Sequence, residues 1–105
     1  MILRIDVVNK VATYQKRDGC IVCGNSGYKI QFTFDSEWDG VEKEAILIWK
    51  GNPEGNPTRV PIIDGVCEVP IIKNTNELTV GVHSESAGMT TTGAKIPCKK
   101  SILCG

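Results

Sequence analysis

The stretch YKIQFTFD, residues 28–35, alternates without a break: Tyr28, Ile30, Phe32 and Phe34 fall on one side, Lys29, Gln31, Thr33 and Asp35 on the other. A period of two is that of a strand with one face in a core and one in water. The same device returns in ILRIDVV, with Leu3, Ile5 and Val7 inward and Arg4 and Asp6 outward, and in ELTVGVH, with Leu78, Val80 and Val82 inward. No window carries apolar residues at helical spacing with capping signals for more than a turn or two.

The punctuation between these runs is turn chemistry. Asp64 and Gly65 stand between two apolar runs in VPIIDGVCEV and supply the positive φ angles of a type I′ hairpin turn. KGNPEGNPTR, residues 50–59, reads as a longer loop, because Pro53, Gly55 and Pro57 cannot sustain a ladder. KNTN (73–76) and SESAG (84–88) are further turns, and MTTTGAKIPCKKSIL offers a Thr-rich strand interrupted near Pro97, then a short last segment. Short strands at regular intervals predict an all-β chain, an antiparallel immunoglobulin-like β-sandwich of about seven or eight strands. With 105 residues and no repeat or linker, residues 1–105 read as a single domain.

One strand departs from the alternation. EAILIWK (44–50) puts Ala45, Leu47 and Trp49 on one face and Ile46 and Ile48 on the other. A strand apolar on both faces is covered on both faces. Ile46 and Ile48 therefore meet either another subunit or a loop or tail of the same chain.

Composition narrows the function. Twelve basic residues balance twelve acidic ones, and the closest basic cluster is Lys95, Lys99 and Lys100, so neither nucleic acid nor an anionic membrane is indicated as partner. Arg4 and Asp6 interrupt the apolar run a signal peptide needs, and no stretch approaches a membrane span. The chain is expected to be cytosolic when made. Five cysteines without a secretion signal suggest thiols in a reducing compartment, and the odd number weighs against a disulfide framework.

Three constellations could carry chemistry. Cys20 and Cys23, followed by Gly24, have the spacing of half a zinc knuckle; Cys98 and Cys104 stand too far apart to be the other half, and Cys67 and His83 fall on strands. A redox pair would need a helix N-terminus in a βαβ setting, which the pattern lacks. The cysteines read as small hydrophobes, and no cofactor or metal is expected. DSEWDG, residues 35–40, resembles the start of a calcium loop, but its twelfth position is Ile46 where a bidentate Glu belongs. A turn with Trp38 as the seal at the end of a sandwich explains it better. The single histidine, His83, is followed by Ser84 and Ser86, yet adjacency along a strand does not make a dyad, and no nucleophile elbow or paired carboxylates are present. The chain reads as non-enzymatic.

From residue 24 to 70, GNSGYKIQFTFDSEWDGVEKEAILIW and VPIIDGVCEVP, followed by LTVGVHSES, resemble a small β-sandwich domain of bacteriophage and prophage virion proteins, found at the N-terminus of baseplate, tail-fibre or head-fibre chains. The resemblance rests on Phe32, Phe34, Trp38, Asp39, Gly40, Trp49, Gly65, Cys67, Pro70, Leu78, Val80, Gly81 and Val82, in that order and spacing. It implies a structural protein of the virion, made in the bacterial host cytoplasm, that binds other virion subunits in tail or baseplate and forms a homo-oligomer in the particle. Phe32, Phe34, Trp38 and Trp49 are its structural anchors and Ile46 and Ile48 its candidate subunit interface. A capsid decoration or head-fibre protein, a phage-encoded inhibitor of a host defence factor, and a small zinc-binding protein are the alternatives. The chain reads as either a free-standing decoration protein or an excised domain.

Overall fold

Alternation becomes burial in the first strand, β1 (Ile2–Val8): Leu3, Ile5 and Val7 are fully buried, while Ile2, Arg4 and Val8 are exposed. A computed structural model describes residues 1–15, 18–52 and 56–102. After β1 follow β2 (Val11–Tyr14), β3 (Ile21–Val22), β4 (Lys29–Phe34), β5 (Glu44–Ile48), β6 (Thr58–Pro61), β7 (Val66–Glu68), β8 (Glu77–Ser84), β9 (Met89–Thr90) and β10 (Ala94–Lys99). A short 3-10 turn at Ser36–Trp38 is the helical element between β4 and β5. One sheet has the order β2-β1-β4-β7 and the other β3-β10-β8-β5-β6, with β9 continuing beside β8. The chain is all-β, two sheets facing each other across one core.

That core is what the alternating residues make. Leu3, Ile5, Ile30, Trp38, Leu47, Ile72, Leu78, Val80, Val82 and Ile96 are fully buried, and Tyr28, Phe34, Trp49 and Val60 pack against them half-buried. Burying each large aliphatic side chain contributes about 1.5–3 kcal/mol before the entropy of ordering it.

The expectation of antiparallel sheets needs correction. β1 pairs with β4 in parallel, Leu3 opposite Ile30 and Ile5 opposite Phe32, and β10 pairs with β3 in parallel, Cys98 opposite Ile21. The first follows from one crossing: after the β1–β2 hairpin the chain passes into the other sheet as β3 and returns as β4 beside β1. A parallel pair needs such a crossover, and no local pattern announces it. Among the described residues the strand number also rises to ten, because short strands such as β3 and β9 carry too few residues to show a period.

The turns explain how the sandwich closes. Asp64 (φ 53°) and Gly65 (φ 76°) form the expected two-residue turn, with Ile63 and Val66 exchanging both backbone hydrogen bonds at 2.9 and 3.0 Å. Yet the strands it joins belong to different sheets, β6 to one and β7 to the other, so this turn closes one seam. Asn9 (φ 51°) and Lys10 (φ 63°) make a second turn of this kind between β1 and β2, which sequence reading missed although Asn is among the residues that tolerate this conformation. The opposite seam is stitched at Thr92, whose N–H donates to the Lys10 carbonyl at 2.9 Å while its Oγ1 accepts from the Ala12 N–H at 3.2 Å. Part of the loop expected at 50–59, residues 53–55, lies outside the described residues.

Pro97, expected to interrupt the last strand, sits within it. The Cys98 N–H donates to the Asn76 carbonyl beside β8, so by alternation the Pro97 nitrogen faces away from β8, where β3 supplies partners only from Cys98 onward. No ladder bond is lost.

Gly93, next to Thr92, leads into β10 where it passes close to β8. A Cβ at this position would lie 2.4 Å from Thr79 Cγ2, and a β-branched side chain has little freedom to move away. Gly93→Ala is therefore expected to lower stability by about 1–3 kcal/mol in denaturant unfolding. Thr79→Ser, which removes Cγ2, should recover most of that loss in the double variant. An undiminished loss would place its origin elsewhere.

Candidate interaction surfaces and side-chain clusters

The aromatic end of the core is built from one strand and the turn after it. Phe32 and Phe34, two residues apart on β4, stack with centroids 5.6 Å apart, and Trp38 lies 5.6 Å beyond Phe34. Trp38 is fully buried. Lys43 closes this end: its Nζ sits 5.0 Å over the Phe34 ring and donates to the carbonyls of Trp38 at 3.0 Å and Val41 at 2.9 Å. Two of the three carboxylates of DSEWDG, those of Asp35 and Glu37, are engaged with the β1–β2 turn. Asp35 Oδ2 accepts from the Asn9 N–H at 2.8 Å, and Glu37 pairs with Lys10. Trp49 follows β5, half-buried, its backbone N–H donating to Asn52 Oδ1 at 2.7 Å.

His83 is held between two partners. Its Nδ1 lies 2.7 Å from Thr90 Oγ1 and its Nε2 2.9 Å from Glu85 Oε2. The hydrogen bond from His83, and then its charge, hold the Glu85 carboxyl below the usual carboxylate range. An imidazole between a hydroxyl and a carboxylate has the outline of a proton relay, but this carboxylate is 90 % exposed. In bulk water its field is too strongly screened to orient and polarise the imidazole as a buried acid does. The arrangement ties β8 to β9 and to the turn that joins them. Ser84 points to the opposite face, fully buried, 3.4 Å from Ser86 Oγ and accepting from the Ala87 N–H. Strand alternation thus separates serine from histidine.

Cys23, Cys67 and Cys98 are buried and Cys20 is half-buried; no disulfide joins these four. Cys23 Sγ donates to the Thr75 carbonyl at 3.3 Å and Cys98 Sγ to that of Ile96 at 3.7 Å. Burial pushes the Cys67 and Cys98 thiols up to about 12, with the neighbouring Cys23 and Cys20 adding to the effect at Cys98. Among the described residues no three His, Cys, Asp or Glu side chains converge as metal ligands; Cys104 lies outside those residues.

The surface expected at β5 is partly covered. Ala45 and Leu47 are fully buried, Ile46 is half-buried, and Ile48 is 47 % exposed. In the register Ile46 lies between Arg59 and Gly81, and Ile48 opposite Thr79. The absence of a side chain at Gly81 makes room for Thr91, whose Oγ1 is 3.4 Å from where a Cβ would stand. Of the tail that was the alternative cover, Ile102 is fully exposed, and residues 103–105 lie outside the described residues. No protein-family model matches the chain, and no curated protein matches it.

Two expectations follow. Trp38→Ala should cost about 3–5 kcal/mol in denaturant unfolding, as for a buried large aromatic, and added calcium should leave the melting temperature of the wild type unchanged. A marked rise with calcium would make the turn a metal site. For the thiols, the folded state keeps Cys67 and Cys98 protonated up to about pH 12, whereas an unfolded thiol ionises near pH 9. Between those values the unfolded chain binds fewer protons, so stability falls as pH rises. Cys67→Ala should make the decline of melting temperature above pH 9 shallower; an unaltered slope would show that the thiol does not contribute.

Proposed function

We propose that the protein is a non-enzymatic structural subunit of a bacteriophage virion, in tail or baseplate, and that it acts by presenting rigid sheet faces to neighbouring subunits. The observation that carries this reading is the two-sided apolar character of β5 within an all-β sandwich: a core set on one face and, on the other, Ile48 left half in water beside Ile46. The order of the Phe32, Phe34, Trp38, Gly65, Cys67 and Val80 motifs supports placing it with virion domains. Covering on the order of 100 Å² of apolar surface contributes about 2.5 kcal/mol per contact. That is too little to hold an isolated dimer against the entropy of association, but enough where each chain touches several others.

Mass spectrometry of purified particles should find the chain at stoichiometric copy number. Replacing Ile46 and Ile48 together by Lys should leave the monomer folded, because Ala45 and Leu47 are untouched, and prevent incorporation into particles. An unfolded double variant would make the face internal, and normal incorporation would place the interface elsewhere.

A further inference from the structure

The two ends of the six-stranded sheet differ in the charges they expose although the chain as a whole is neutral. At one end, where β5 begins and β6 and β8 finish, an open cleft of about 460 Å³ has a wall of Pro61, Ile62 and Ile63 and a rim carrying Glu42, Glu44 and Glu85. Ile63 is 67 % exposed there. Two of the rim carboxylates have partners, Glu44 in Arg59 at 2.6 Å and Glu85 in His83 at 2.9 Å, while Lys43 donates to the carbonyls of Trp38 and Val41. Glu42 is exposed and makes no ion pair among the described residues.

The other end is its complement. β10 runs antiparallel to β8 and finishes beyond its start, Pro97 standing opposite Glu77. Lys99 and Lys100 are exposed there, followed by a fully exposed Ile102. Lys73 and Lys50 are exposed at the same end, the Lys73 carbonyl lying 3.5 Å from where a Cβ on Gly51 would stand. The eight residues of β8 separate the two ends by about 23 Å.

We infer that the cleft receives a second copy of this chain, with Lys99 and Lys100 of one molecule against Glu42 and Glu85 of the next and Ile102 against the wall of Pro61, Ile62 and Ile63. Charge sign and apolar character match at both ends, and cleft and lysines stand at opposite poles of one molecule, so the contact is head-to-tail. Such a contact is heterologous: each copy uses a different surface as giver and as receiver, and it generates rings or open filaments rather than a closed dimer. It shares the outward side of the six-stranded sheet with Ile46 and Ile48, through Glu44 and Lys99, but does not use those two residues, and it stands whether or not the chain belongs to a virion.

Sedimentation velocity on the purified full chain tests it. Mass should rise with protein concentration at low salt and fall back as salt screens the contact. Glu42→Gln with Glu85→Gln disables the cleft and keeps the lysines; Lys99→Gln with Lys100→Gln does the reverse. Each double variant alone should associate about tenfold more weakly than the wild type; the melting temperature should be unchanged for the lysine variant and, for the glutamate variant, should match that of Glu85→Gln alone, which loses the contact with His83. Mixed, the two should form a 1:1 dimer and nothing larger, because only one productive pairing remains. A wild type that stays monomeric at low salt and millimolar concentration overturns the inference. So do association indifferent to salt, and a mixture that behaves as the sum of its parts.

Discussion

The parallel pairing of β1 with β4 is the constraint around which the sandwich is arranged. Leu3 with Ile30, Ile5 with Phe32 and Val7 with Phe34 bring two alternating strands into one register, so that both inward sets line the same side. A slip of one residue would carry either set to the solvent face. Local hydrogen bonding does not impose this register, because the strands are joined only through a crossing into the opposite sheet. The segment between them is fastened along its way: the Tyr14 hydroxyl donates to the Gly19 carbonyl at 2.6 Å, the Cys23 N–H to Lys99 at 2.7 Å, and the Val22 N–H to the Tyr28 hydroxyl at 2.9 Å. Its role in this sandwich is thus to carry the chain across and back.

Closing the end of the core with Trp38 has a cost. The indole N–H and Asp35 Oδ1 are buried without a hydrogen-bond partner among the described residues. Each such group costs about 1–3 kcal/mol. Against this stand the burial of the whole indole, its contact with Phe34, and the ammonium of Lys43 over that ring, which at the same time satisfies two carbonyls of the turn. Asp35 and Glu37 then bind the β1–β2 hairpin, so a stretch whose acidic spacing resembles a cation loop is spent on joining two turns.

What the sequence revealed and what it hid divide along one physical line. Properties set within a strand were legible: the inward sets of β1, β4 and β8, the buried Trp38, the positive φ angles at Asp64 and Gly65. Properties set by which strands meet were not. The dipeptide at Asp64 announces a turn but not that its arms part into separate sheets, and Asn9 with Lys10 makes the same turn without a glycine to mark it. Glu85 finds His83 two residues away, within reach of sequence reasoning, whereas the seam at Thr92 joins residues some eighty positions apart. The cleft belongs to this second class, since Glu42, Ile63 and Glu85 come together only once β5, β6 and β8 lie side by side.

A formal charge of zero conceals the same distinction. Composition sums over the chain, while a neighbouring molecule meets the charge on the surface presented to it. Running β10 against β8 sends Lys99 and Lys100 toward one pole and leaves Glu85 at the other, so charges that composition cancels are held apart in space. The proposed head-to-tail contact and the proposed apolar contact through the face of β5 would use different residues, Glu42, Glu85, Lys99 and Lys100 in the one and Ile46 and Ile48 in the other. Two weak contacts in different directions extend an assembly in two dimensions, and each becomes effective only when many copies hold the other in place. For a chain of this size, with little area to spare on any one side, such a division of labour would let strength reside in an array while the single molecule remains a self-sufficient sandwich.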